Sequence, residues 1–134
     1  MAKSDFDTNE RFQRGLALRR RVLGEAHVAR SLDAARADPF MLPMQQVTTE
    51  FGWGEIWSRP GLEPRMRSFL SVAFLTALGR HDELRTHIRG ALNNGVTRDE
   101  IQELMLQAAL YCGFPAGIEG TRIAKAVFDE MDAA

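Results

Sequence analysis

The chain has 134 residues, 45% of them hydrophobic, and a formal net charge of −1. That is the size of one domain with enough apolar material for a core. The near-neutral balance supplies no global field for nucleic acid or an anionic membrane surface. The single cysteine, Cys112, excludes an intrachain disulfide and fits a reducing cytoplasm.

Residues 1–7 are polar, without the apolar stretch of a signal peptide, and are expected to be loose. Thr8 or Asn9 can cap a helix running to about Leu23, with Phe12, Leu16, Leu18 and Leu23 as its apolar stripe and Gly24 at its end. The triplet Arg19-Arg20-Arg21 reads as a solvated face or an interface, because no aromatic residues interleave with it as stacking platforms. Glu25–Ala37 is a second helix, ended by Asp38-Pro39. Met41 to about Gly54 is a third, leading into the aromatic and glycine-rich run Phe51–Trp57. Ser58-Arg59-Pro60-Gly61 is a loop.

Pro64 then suits the first turn of a helix from Glu63 to Leu78. Its Ser68–Leu78 portion is apolar nearly all round, which predicts burial on most sides. It is too short to span a membrane, which takes about 20 apolar residues. A fifth helix covers Asp82–Asn93, with Gly95 placed as its left-handed terminator. Thr97-Arg98-Asp99-Glu100 is a capping box that opens a sixth, through Ile101, Leu104, Met105, Ala108 and Tyr111. Gly113 ends it and Pro115 begins the last, with Ile118, Ile123, Ala126, Val127 and Met131 on its apolar side. No β pattern intervenes, so the expectation is one compact all-α domain over residues 1–134, of six or seven helices.

Chemistry concentrates on the fifth helix. Steps of three and four place Glu83, His87, Ala91 and Asn94 on one face, and Arg80 lies two turns before His87 on the same side. A lone histidine is most simply structural. Here Glu83 can orient the ring and favour imidazolium, an acid near neutral pH, and Arg80 can bind a carboxylate or an enolate-like oxyanion. Trp53 and Trp57 can wall a pocket or pack the core, and Arg59 and Arg65 are further cations for an anionic substrate. His27, His81 and His87 have no metal-ligand spacing, so no metal is expected. No nucleotide-binding glycine loop or serine-nucleophile motif is present, and no cofactor is expected.

The run Trp57-Ser58-Arg59-Pro60-Gly61-Leu62, followed by Glu83-Leu84, His87, Arg89-Gly90-Ala91-Leu92-Asn93-Asn94-Gly95-Val96-Thr97, resembles the carboxymuconolactone decarboxylase family, within the superfamily that also holds AhpD. The resemblance continues through Glu100-Ile101 and Tyr111-Cys112-Gly113-Phe114-Pro115-Ala116 and reaches back to Arg20-Arg21-Val22-Leu23-Gly24. It implies an AhpD-like helical fold, a homo-oligomer built as a trimer of dimers, and cofactor-free decarboxylation of γ-carboxymuconolactone, a small anionic lactone. Under it His87 and Glu83 are catalytic, and Arg80, Arg59, Arg65 and Trp57 bind substrate. The redox branch of the superfamily carries Cys-x-x-Cys seven and four residues before its histidine. Arg80 and Glu83 stand there in this chain, which argues against a thiol peroxidase and leaves Cys112 as a small buried apolar residue.

Overall fold

The computed structural model describes residues 5–134. Among them are seven α-helices, one π-helical segment and no strands. The chain divides into two compact units, Met1–Leu62 and Glu63–Ala134.

The first unit contains α1 (Glu10–Leu23), α2 (Glu25–Ala37), α3 (Leu42–Val47) and, continuous with α3, a π-helical segment over Thr48–Trp57. Residues 1–4 of the expected loose start lie outside the described residues, and the looseness does not extend to Phe6. That ring is buried and stacks on Phe12 at 5.2 Å between centroids. Asn9 caps α1 by accepting the Phe12 N–H at 2.9 Å. The α1 stripe differs from the expected one. Gly15 and Arg19 are buried in line with Phe12, Val22 and Leu23, while Leu16 and Leu18 are half-buried. The reason is a close approach of backbones: a Cβ on Gly15 would lie 2.0 Å from the Thr49 carbonyl oxygen, and one on Gly54 2.5 Å from that of Arg11. Glycine at both crossing points lets α1 and the π-helical segment touch main chain to main chain. Val28, Leu32, Leu42 and Trp53 complete this core.

The second unit contains α4 (Pro64–Leu78), α5 (His81–Asn93), α6 (Arg98–Cys112) and α7 (Phe114–Ala133). Its helix ends follow local chemistry. Gly95 adopts φ 90°, and the N–H groups of Gly95 and Val96 return to the carbonyls of Leu92 and Ala91 in a Schellman motif. Thr97 and Glu100 form the reciprocal capping box of α6. Val72, Leu84, Ile88, Ala91, Ile101, Met105, Ile123 and Val127 fill the core. Gly117 and Gly120 let α7 settle onto α6, since a Cβ on Gly117 would meet that of Ala109 at 2.6 Å.

Two expectations are corrected here. Helix α4 is not buried on most sides: only Ser68, Val72 and Thr76, one row of steps of four, are fully buried, and Phe74 is 60% exposed. Cys112 is likewise exposed, because it is the last residue of α6 where Gly113, at φ 101°, turns the chain into α7. Among the described residues no helix is long and apolar enough to cross a membrane.

Candidate active site

Helix α5 positions the residues that the sequence singles out. Its buried row, Leu84, Ile88 and Ala91, faces the core and fixes the rotation of the helix. One flank packs on α7, where Arg85 and Arg89 both reach Glu130, at 2.8 and 3.1 Å. The other flank packs on α4. There the Asn94 side-chain amide donates to Ser68 Oγ at 2.9 Å and to the Pro64 carbonyl at 3.3 Å. His87 lies seven residues before Asn94 and Arg80 seven before His87, so all three share the α4-facing flank.

The side chains on this flank differ in setting. His87 is half-buried at mid-helix, while Glu83 is exposed one turn earlier. No hydrogen bond joins Glu83 to His87, and the Glu83 carboxylate has no partner among the described residues. Arg80 precedes the first turn of α5, with φ −90° and ψ 82°, and donates its main-chain N–H to the Leu75 carbonyl. Its guanidinium is exposed and makes no ion pair among the described residues. Asn94 therefore has a structural use, tying the end of α5 to the start of α4.

Arg65 has a different environment. From the first turn of α4 it grips both carboxylate oxygens of Glu100 on α6. That guanidinium, followed by the Thr97 main-chain N–H of the capping box, holds the Glu100 carboxyl below its ordinary range. Trp57 and Arg59 belong to the first unit. Trp57 is half-buried at the end of the π-helical segment and stacks on Trp53, with ring centroids 4.6 Å apart and planes 24° from parallel. Arg59 follows in the exposed loop. Among the described residues no three His, Cys, Asp or Glu side chains are grouped to hold a metal ion.

Sequence reasoning missed Arg19. Instead of lying on a solvated face it is 5% exposed, and its Nη1 donates to Gln45 Oε1 at 2.9 Å and to Thr49 Oγ1 at 3.1 Å. The signal was available: Arg19 stands seven residues after Phe12 and three before Val22, on their stripe.

Residues 43–126 match the carboxymuconolactone decarboxylase family. The chain belongs to that family. It is 47% identical over 122 residues to a 4-carboxymuconolactone decarboxylase of Acinetobacter baylyi, covering 91% of this chain and 90% of the relative. It is 41% identical over 120 residues to a nitrosuccinic acid decarboxylase of Metarhizium robertsii, covering 90% and 82% of the two chains. An uncharacterised 15.0 kDa protein of Paracoccus denitrificans is 33% identical over 85 residues, 62% of this chain and 63% of its own length. With the all-α architecture, this family membership agrees with the fold that the sequence implies.

Proposed function

We propose that this protein is a carboxy-lyase that converts 4-carboxymuconolactone to 3-oxoadipate enol-lactone, in the β-ketoadipate route of protocatechuate breakdown. The observation that carries this reading is the 47% identity, over 91% of this chain and 90% of the other, with a relative of that name. The chemistry needs no cofactor, because the substrate is its own electron sink. As CO₂ leaves the γ-carbon, its bonding pair moves through the ring double bond into the lactone carbonyl, giving a dienolate. The protein must hold the anionic substrate, stabilise the new oxyanion and protonate the α-carbon.

His87 is the proposed proton donor. Its half-buried place at mid-helix on α5 can shelter an imidazolium. Glu83 is the proposed orienting carboxylate, one turn away, and would close on the ring when substrate is bound. Arg80 is the first choice for the substrate's anionic groups, since no carboxylate of the described residues competes for it. Arg65 would have to share its guanidinium with Glu100. Trp57 and Arg59 are proposed substrate contacts carried by the first unit. The enzyme is proposed to work in the cytoplasm as a homohexamer, a trimer of dimers. What supports assembly is the apolar surface outside the core, including Leu106, Leu110, Tyr111 and Phe114 on and after α6.

A second reading keeps the reaction and changes the substrate. The Metarhizium robertsii relative is named for nitrosuccinic acid, in which a nitro group beside the lost carboxylate would take the electron pair as a nitronate. Both substrates are small dianions carrying their own sink. The deciding experiment is a side-by-side assay. 4-Carboxymuconolactone is generated in situ from protocatechuate and nitrosuccinate is offered separately, each with CO₂ release followed in the presence of EDTA. Rapid, EDTA-insensitive loss of the lactone is expected. Turnover of nitrosuccinate alone would move the function to the second reading, and turnover of neither would overturn both.

A further inference from the structure

A buried cation ordinarily has a counter-ion, because a charge taken out of water without one is costly. Arg19 has none. Its partners are the neutral Gln45 side chain and the Thr49 hydroxyl, and its Nε has no hydrogen-bond partner among the described residues. A methionine in its place would fill similar space at no electrostatic cost. The arginine therefore does something that apolar packing would not.

Its acceptors show what that is. They lie where α3 gives way to the π-helical segment. The Gln45 carbonyl accepts there from the Thr48 main-chain N–H and, at 2.8 Å, from the Thr49 hydroxyl. Arg19 bridges the Gln45 amide and the Thr49 hydroxyl at this junction. Further along, the Gly54 carbonyl accepts from Arg14 Nε at 2.9 Å. Helix α1 thus ties the π-helical segment at both ends of the Thr49–Gly54 stretch, through Arg19 at one and Arg14 at the other.

Thr49, Trp53 and Trp57 stand at successive steps of four. The indoles of the last two stack, so the rotation of the segment at Thr49 is carried one turn on to Trp53 and a second to Trp57. We infer that Arg19 is a positioning residue: by fixing the Gln45–Thr49 junction it sets the π-helical register that stacks Trp53 on Trp57 and presents Trp57 to substrate. The last step rests on the proposed function, and the stacking step does not.

The test uses the full-length protein with Arg19→Met, and with Thr49→Val as a variant that keeps the arginine. Circular dichroism of the substrate-free protein reads the exciton couplet of the stacked indoles, with Trp57→Phe marking its complete loss. Both variants are expected to lose most of the couplet. Arg19→Met is expected to unfold at the same or a higher temperature than wild type, because a desolvated charge is gone. Its KM for the lactone is expected to rise about tenfold, with a smaller change in kcat. A wild-type couplet in either variant overturns the inference. A couplet lost in Arg19→Met together with a large drop in stability also overturns it, since the arginine would then be part of the core. If Arg19→Met fails to fold, Thr49→Val decides through the couplet. If the wild type does not turn over the lactone, the couplet still decides the stacking step, while the KM arm falls with the proposed activity.

Discussion

At the residue scale, the proposed proton donor is His87. Its place on α5 was legible because an i, i+4, i+7 pattern is a property of one helix and needs no knowledge of the rest of the fold. Its setting was not. The Glu83 carboxylate one turn away is exposed and has no bonded partner among the described residues. An exposed pair of this kind gains only about 0.3–0.5 kcal/mol, too little to hold two side chains together without a ligand. The proton-donor role makes a sharp prediction. His87→Ala is expected to lower kcat by about 10²–10⁴, the usual contribution of a positioned general acid, with a KM close to wild type. Glu83→Gln should cost much less, because it removes orientation and leaves the acid. Equal losses for the two variants in steady-state assays would mean that the pair acts as a unit and that Glu83 does more than orient the ring. Arg65 shows the limit of reading neighbours. Its partner Glu100 is 35 residues away, and no local pattern announces that pair.

At the scale of elements, most helix boundaries were local and were legible. Asn9, Gly24, Gly95 and the Thr97–Glu100 box each act within one turn of themselves. The π-helical segment was not legible, because its register is set by α1 some 30 residues earlier, through the Gly15 crossing and Arg19. Gly15→Ala tests that dependence. A methyl group would meet the Thr49 carbonyl with no flexible side chain to yield, so overpacking of about 1–3 kcal/mol is expected in denaturant unfolding. Gly52→Ala, where the added Cβ meets nothing within 4 Å, is the control. Glu100 gives the second element-scale prediction. Its folded carboxyl lies below the ordinary value of 4.5 because of Arg65 first and the Thr97 N–H second. A depressed folded pKa contributes stability that is present above the unfolded value and is lost as pH falls through the folded one. The melting-temperature difference between wild type and Glu100→Gln should therefore be constant near neutrality and shrink as the pH drops below 4.5. A difference that grew on acidification would contradict the ion pair.

At the scale of the whole molecule, the apolar run in α4 was read as burial, yet one chain buries only one row of it. The same surplus recurs on α6, where Leu106 and Leu110 are 62% and 72% exposed. Between the two helices runs an open groove of about 480 Å³, lined by Phe69, Leu70, Ala73, Leu104, Ala108 and Tyr111 among others. Hydrophobic pattern in a sequence records what is removed from water in the working state, and does not say whether the cover comes from the same chain. Contiguous apolar surface of this kind is what an interface presents, and the proposed homo-oligomer would supply the cover from other copies. Leu110→Glu puts a charge on this surface without touching the buried core, because Leu110 already faces out. Burying that charge in an interface would cost several kcal/mol. Sedimentation should show the variant as a smaller species than wild type, with its helical content intact. If it assembles like wild type, the α6 face lies outside the interface and the cover on α4 and α6 must be sought elsewhere. If it dissociates and also loses decarboxylation while keeping a folded His87 helix, the active site depends on a neighbouring copy. Dissociation with full activity would assign the whole of the chemistry to a single chain.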